Sequence, residues 1–392
     1  MQYSARMRVC LVYDCLFPWT IGGAERWMRD LARALVVDGH EVTYLTRRQW
    51  PLDSPPEIDG VDVIAVSREE PLYGSDGNRT IGEPLRFGYG VLRYLRGHRH
   101  DFDVVHTCAF PYFSLLAAGV ALRGSRTRLI ADWVEVWSRD YWREYLGGPK
   151  GLAGARVQRA CARVRHQAFT FSDLHARRLI EEGHRGTPVR LAGLYHPAPG
   201  AALPPGGDRD PLVVFAGRHI AEKRAELIPE AIALAAPRVP GLRGLILGDG
   251  PRRPQVLDAI EAHGVSHIVD APGFVDADAV HEAFARASCL LLPSRREGYG
   301  LVVIEAAAVG TPSIVVRGPD NAAAELVRDG ENGLLAAGDT PQQLADAILA
   351  VHQRGRALRD STTSWFQREA SRLTVAASLP KVLEVYAASE RA

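Results

Sequence analysis

The sequence predicts an α/β protein of two doubly wound domains, each a parallel sheet covered by helices, facing a cleft. Three observations predict it. Short apolar runs alternate with helix-periodic segments along the whole chain. A Pro- and Gly-rich stretch without periodicity, residues 197–211 (PAPGAALPPGGDRDP), interrupts the alternation near its middle, and the rhythm restarts beyond it. Finally, the chain has 392 residues. At roughly 100–200 residues per domain, that length supports two sizeable cores.

Residues 8–13 (RVCLVY) predict a buried strand. Residues 24–37 place Trp27, Met28, Leu31, Ala34, Leu35 and Val37 on one helical stripe. Asp38, Gly39 and His40 end that helix before a second strand at 41–46 (EVTYLT). Strands follow at 61–66, 103–106, 128–131 and 168–172. Helical crossovers between them make neighbouring strands parallel. Beyond the break, Leu212–Ala216 predicts a strand and 223–236 a helix. Further strands are expected at 244–247, 266–269, Cys289–Leu292 and Ser313–Val316. Residues 342–352 predict a helix, and 365–386 a helical tail broken at Pro380. The expected domains are therefore 1–196 and 212–374, joined by a linker at 197–211. Ligands of such sheets bind at the carboxyl ends of the strands.

Composition narrows the function classes. Lys and Arg number 47 and Asp and Glu 46, for a net charge of +1. That balance supplies no global field for nucleic acid or an anionic membrane. The five cysteines are scattered without a CxxC pair, so buried thiols are expected and no zinc or redox framework. The first residues lack a signal-peptide core, and no apolar run approaches the ~20 residues of a membrane span. A cytoplasmic protein is the expectation, with peripheral membrane contact left open. The high Arg, Ala and Gly content suggests a GC-rich bacterial genome.

Five segments are candidates for chemistry. Gly22 and Gly23 lie between the first strand and first helix, where glycine lets backbone approach a ligand and a helix N-terminus faces an anion. The turn is not GxGxxG, which argues against a nicotinamide dehydrogenase. Arg218 and Lys223 follow the strand Leu212–Ala216. A planar fork and a point charge together suit a diphosphate. Lys223 stands out because the chain has only three lysines. In residues 297–305 (EGYGLVVIE), Glu297 precedes a glycine-bearing helix start and Glu305 lies on the helix about two turns on. Carboxylates accept hydrogen bonds from vicinal sugar hydroxyls, and the loop N–H groups of Gly300 and Leu301 suit a phosphate or hydroxyl. His106 closes a predicted strand: a polar contact, a proton carrier, or a core histidine satisfied by its neighbours. Ser172 and Asp173 read equally as a helix cap or a ligand contact.

Residues 132–148 (DWVEVWSRDYWREYLGG) mix aromatic and charged side chains. Trp133, Glu135, Trp137 and Tyr141 are candidates for sugar stacking and hydroxyl recognition on an acceptor, or else pack as an aromatic element of the first domain.

The GGAE turn at 22–25, GHEV at 39–42, the GR…EK segment at 217–223, GDGP at 248–251 and EGYGLVVIE together resemble glycosyltransferase family 4 over residues 9–386. The resemblance implies a GT-B architecture of two Rossmann-like domains and a retaining, nucleotide-sugar-dependent, hexosyltransferase-type enzyme. It implies an N-terminal acceptor domain onto which a helix at about 375–392 packs back, and a C-terminal donor domain. By motif, Gly23 meets the donor phosphate through its backbone, and Arg218 and Lys223 clamp the diphosphate. Glu297 lies beside the transferred sugar, Tyr299, Gly300 and Leu301 supply loop contacts, and Glu305 holds the ribose. His106 falls in the family's DVVHxH stretch, whose second histidine position is Cys108 here.

The expected reaction is front-face transfer with retention, without cofactor or metal, since no DxD motif is placed to serve a donor-bound metal. The donor is a nucleotide-diphosphate sugar, UDP- or GDP-linked. The acceptor is a natural product, glycolipid or glycan, and the state a monomer or homodimer. The alternatives are a nucleotide-sugar epimerase or a phosphorylase on the same scaffold, or a non-catalytic sugar-binding partner subunit.

Overall fold

The strand Arg8–Val12 (β1) begins a sheet whose order explains where a ligand sits. The structure, a computed structural model, describes residues 6–51, 53–54, 56–72, 80–196 and 209–388. Residues 197–208, most of the predicted linker, lie outside the described residues. The chain divides into two units, Met1–Leu194 with Val375–Ala392, and Tyr195–Thr374.

In the first unit, β1 leads through α1 (Gly23–Val37) to β2 (Glu41–Arg47) and β3 (Val61–Ser67). Then α2 (Gly82–Gly97) returns the chain to β4 (Val104–Cys108). From there α3 (Phe113–Ala121), β5 (Arg128–Trp133), α4 (Arg139–Leu146), α5 (Gly148–Ala162), β6 (Gln167–Thr170), α6 (Asp173–Glu181) and β7 (Val189–Arg190) step outward. The seven strands pair in the order β3-β2-β1-β4-β5-β6-β7, all parallel. The direction of winding therefore reverses between β1 and β4. Alternation splits the strand side chains between two faces. Cys10, Val12, Val105, Ala131 and Trp133 join the core beneath α2 to α5.

In the second unit, β8 (Leu212–Ala216) is followed by α7 (Ile228–Ala235), β9 (Arg243–Leu247), α8 (Arg253–Ala262), β10 (Val269–Gly273) and α9 (Ala277–Arg286). The chain then crosses to β11 (Cys289–Leu292), β12 (Arg296–Glu297), α10 (Leu301–Ala308), β13 (Ser313–Val316), β14 (Asp320–Asn321), β15 (Gly333–Ala336) and α11 (Pro341–Leu373). The main sheet has the parallel order β10-β9-β8-β11-β13-β15, so its reversal lies between β8 and β11. A separate parallel pair joins β12 to β14. The last helix, α12 (Val375–Ala387), belongs to the first unit.

Several local expectations change. The helix predicted over 223–236 starts later, because Arg224 adopts a left-handed conformation (φ 52°) between two 3-10 turns and Pro229 opens α7. The helix predicted over 342–352 is the first part of α11, kinked at Gly355 (φ 44°, ψ −126°). The break predicted at Pro380 falls instead at Thr374, whose extended backbone (φ −82°, ψ 154°) ends α11, and Pro380 lies inside α12. The strand expected at 266–269 is displaced to β10. Val37, counted on the buried stripe of α1, is 85% exposed at its last turn.

On α2, exposed Leu85 and Tyr89 lie beside exposed Arg93 and Arg96. No helix among the described residues is long and apolar enough to cross a membrane. All five cysteines are buried and unbridged. Burial pushes the Cys289 thiol up to about 12, so it stays protonated at neutral pH.

Candidate active site

The loops after β8 and β11 flank the point where the second sheet reverses, the position at which open α/β sheets bind ligands. The structure joins these two loops by crossed ion pairs. Lys223 Nζ lies 2.6 Å from Glu297 Oε1, and Glu222 Oε1 lies 2.8 Å from Arg296 Nη2. The Arg295 N–H also donates to the Glu222 carbonyl at 2.9 Å. Two adjacent residues of opposite sign on one loop thus meet two of the reverse order on the other. The pairs are largely removed from solvent, with side-chain exposures of 21% and 7% for Lys223 and Glu297. Burial makes such pairs sensitive to loss of one member. An ammonium has three donors, so holding Glu297 leaves Lys223 two for a further anion.

Backbone contacts hold the first loop. The Gly217 N–H donates to Leu247 O at 3.0 Å and the His219 N–H to Asp249 O at 2.8 Å. Gly248 has φ 123°, and a Cβ there would lie 1.9 Å from Gly217 O. Only glycine allows this approach. Gly248→Ala is expected to displace the loop bearing Arg218 and to lower turnover at least about tenfold. Comparing its turnover and melting temperature with wild type checks this, and unchanged turnover would show that loop position is irrelevant. Arg218 is exposed on the same loop. His219, absent from the sequence-derived candidates, is fully buried there. Burial lowers its pKa, with Asp249 opposing and Arg253 reinforcing the shift, so it is neutral.

The second loop turns at Gly300, left-handed at φ 92°, which caps α10. A Cβ there would lie 2.4 Å from Ala323 Cβ. Glu297 and Tyr299 are each 6% exposed, and Leu301 and Glu305 are half-buried on α10. Glu305 stands close enough to Tyr195 to add to the burial that raises its phenol pKa. Asn321 braces the loop after β11 by donating to Ser294 O at 2.8 Å and Val316 O at 2.9 Å. The structure thus places Arg218, Lys223, Glu297, Tyr299, Gly300, Leu301 and Glu305 on two loops and one helix of a single unit.

In the first unit, Gly22 and Gly23 open α1 after β1, with Gly22 extended at φ −170°. A Cβ on Gly22 would meet Glu25 Oε2 at 2.4 Å, whereas Gly23 has open space around it. Ser172 caps α6 by accepting from the His175 N–H at 3.1 Å. The Asp173 carboxylate pairs with Arg190 at 2.9 Å.

The strand position expected for His106 is corrected by the structure. It sits in the middle of β4, paired with Leu11 and Ile130, rather than closing the strand. It has no exposed surface. Its Nδ1 lies 2.6 Å from the Tyr386 hydroxyl on α12. Burial and then the Asp132 charge keep Tyr386 protonated. Tyr386 therefore donates to Nδ1, which puts the ring proton on Nε2, 2.9 Å from Asp132 Oδ1 in an off-axis contact. The other carboxylate oxygen accepts from Trp27 Nε1 at 2.7 Å. His106 thus ties β4 to β5, α1 and α12 inside the core.

The aromatic segment is packed inside the first unit as well. Trp133 is 0% exposed, and Trp137 and Tyr141 each 5%, all within the core. Trp133 Nε1 donates to His166 at 2.9 Å, and Trp137 Nε1 donates to Glu135 at 2.6 Å. Gln158 accepts from the Trp137 N–H at 2.9 Å and from Trp142 Nε1 at 3.2 Å. These rings pack against one another within the first unit. Among the described residues, no group of three or more His, Cys, Asp or Glu side chains is arranged to hold a metal ion.

Comparison with known proteins gives the chain a family. Residues 22–194 match the glycosyl transferase 4-like domain, and residues 210–354 match glycosyl transferases group 1. The chain is similar to the D-inositol 3-phosphate glycosyltransferase of Jonesia denitrificans, 28% identical over 93% of this chain and 91% of that one. A match to the exopolysaccharide phosphotransferase SCO2592 of Streptomyces coelicolor is 33% identical over 43% of this chain and spans only 18% of that protein. Among solved structures, sucrose-phosphate synthase from Thermosynechococcus elongatus aligns with a TM-score of 0.77 at 18% identity, over 97% of this chain and 98% of that one. Anabaena HepE, solved with UDP and glucose, aligns at 0.73 and 18% identity, over 97% of this chain and 99% of that one. With family matches over both units and a GT-B fold throughout, the chain is a glycosyltransferase of the family 4 type.

Proposed function

We propose that this glycosyltransferase is a retaining, metal-independent enzyme that takes its sugar from a nucleotide-diphosphate donor, UDP- or GDP-linked. The donor is held by the second unit and the acceptor by the first. The observation that carries the reading is the crossed pairing that holds Lys223 against buried Glu297 where the second sheet reverses. HepE, with its bound UDP and glucose, supports a uridine donor.

In this reading Arg218 and Lys223 bind the diphosphate, Glu305 accepts from the ribose hydroxyls, and Glu297 accepts from a hydroxyl of the transferred sugar while orienting Lys223. The bond from the anomeric carbon to the phosphate oxygen breaks, and its electron pair leaves with the diphosphate. The acceptor oxygen bonds to the same face of that carbon and passes its proton to the departing phosphate. Arg218 and Lys223 stabilise the charge developing on the leaving group, the role a metal ion fills in other sugar transfers.

Two measurements test this. Proton NMR of the product formed from an α-linked donor is expected to show an α-linkage, and a β-linkage would refute retention. Turnover is expected to persist in EDTA. Loss in EDTA with recovery on adding magnesium would refute metal independence.

A further inference from the structure

The outward face of α2 is not the polar surface that a core-packed helix usually shows. On the inward side Phe87, Val91 and Leu95 have no exposed surface. Glycine brings the helix close there: a Cβ on Gly90 would lie 2.2 Å from Val66 O, and one on Gly88 would lie 2.7 Å from Phe113 Cβ. These approaches to β3 and α3 fix the rotation of α2, and so fix which side chains point outward. Ile81 at the head of the helix, Leu85 and Tyr89 are spaced four apart and are 54%, 48% and 68% exposed. Side chains four apart lie above one another on one face. Arg93 and Arg96 continue that face into the last turn, and Arg99 follows just beyond it, all three exposed.

The charge on this helix face has one sign. The only acid in α2, Glu83, is 2% exposed on the inward side. Glu70, before the helix, is taken by Arg68 at 2.9 Å and by Arg86. Among the described residues no carboxylate pairs with Arg93, Arg96 or Arg99. A basic residue in the last turn complements the helix dipole. That role accounts for Arg96 alone, and for none of the apolar side chains. From Ile81 to Arg96 the face runs about 22 Å along one convex helix, apolar in its first half and basic in its second.

A protein partner buries roughly 800 Å² per side and needs a groove shaped to the helix. Three apolar side chains on a convex rod offer less. A bilayer surface conforms to such a rod. It takes leucine and isoleucine toward the acyl chains, seats tyrosine at headgroup level, and draws arginine heads to anionic lipid while their stems stay in the apolar layer. We propose that α2 docks the first unit on an anionic lipid surface, lying in the interface with Leu85 and Tyr89 inserted and Arg93 and Arg96 against lipid phosphates. The attraction is local, since the net charge of the chain is only +1. The docking is peripheral, since no described helix is long and apolar enough to cross a membrane. Because α2 follows β3, its apolar half lies toward the carboxyl edge of the first sheet, the edge that carries the Gly22–Gly23 turn. Docking brings that edge to the lipid.

Flotation of the full chain with vesicles tests this, comparing phosphatidylcholine alone with an equal mixture of phosphatidylcholine and phosphatidylglycerol. The mixed vesicles are expected to bind at least about tenfold more tightly, and less tightly as salt rises. Arg93→Ala/Arg96→Ala and Leu85→Ser/Tyr89→Ser alter only exposed side chains, so each is expected to keep the wild-type melting temperature. Each is expected to lower binding to the mixed vesicles at least about tenfold. Arg165→Ala/Arg185→Ala, which removes two exposed arginines elsewhere on the same unit, is expected to leave binding unchanged. Vesicle binding is read without donor or acceptor, so it stands or falls apart from the donor-site reading. No binding to anionic vesicles, equal binding to both vesicle types, or wild-type binding in both α2 double variants would each overturn the proposal. A dimer in solution that Leu85→Ser/Tyr89→Ser dissolves, with no vesicle binding by the wild type, would assign the face to a second copy of the chain instead.

Discussion

Lys223→Ala is expected to lower turnover by about 10²–10³-fold, the usual loss when one preorganised group facing developing charge is removed. The geometry explains the size. Lys223 is held at 2.6 Å by a carboxylate that is itself 93% buried, so it needs little reorganisation when a diphosphate departs. The substitution also strands Glu297, and leaving one member of a buried pair alone costs up to about 3–5 kcal/mol, less here because Lys223 is partly exposed. A companion variant, Lys223→Ala with Glu297→Gln, removes the stranded charge. It is expected to recover thermal stability without recovering turnover. Full turnover in Lys223→Ala would remove the clamp from the account, and recovery of both properties in the double variant would reduce the pair to a structural role.

Asp132→Ala is expected to destabilise the first unit by about 3–5 kcal/mol, the cost of breaking a buried charged network. Asp132 is 1% exposed and receives the Trp27 indole proton at 2.7 Å while facing His106 at 2.9 Å. Its removal leaves the buried Trp27 donor unsatisfied, takes the carboxylate away from the His106 Nε2–H that faces it, and loosens the seat of α12, because Tyr386 depends on His106 for its partner. Tyr386→Phe removes one hydrogen bond from the same network and is expected to cost only about 1 kcal/mol. Heat or denaturant unfolding reads both values. Nucleotide binding by the second unit is expected to survive in both variants. A loss below about 1 kcal/mol in Asp132→Ala would contradict the network assigned to His106.

What could be read from the sequence was local. Leu212–Ala216 and Cys289–Leu292 were legible because continuous apolar runs bounded by glycine or proline mark buried parallel strands. Arg218, Lys223 and Glu297 stood out because their charges follow directly on those strands. The crossed pairing of Glu222 and Lys223 with Arg296 and Glu297 was not legible, since its halves lie 74 residues apart and no periodicity links them. The partners of His106 were hidden for the same reason: Tyr386 is 280 residues away. Thr107 and Cys108 disguised the end of β4, because small polar residues resemble the start of a loop. Aromatic composition flagged residues 132–148 correctly as unusual, but composition does not say which side of a ring faces protein. The kink at Gly355 and the left-handed Arg224 depend on tertiary packing, which overrides local propensity.

The most direct test of the donor site is titration of the purified chain with UDP- and GDP-sugars, in wild type and in the Arg218→Ala and Lys223→Ala variants. The account predicts that sugars of one nucleotide bind the wild type and that each variant weakens that binding at least about tenfold. No binding of any nucleotide-diphosphate sugar, or equal affinity in wild type and both variants, would contradict it.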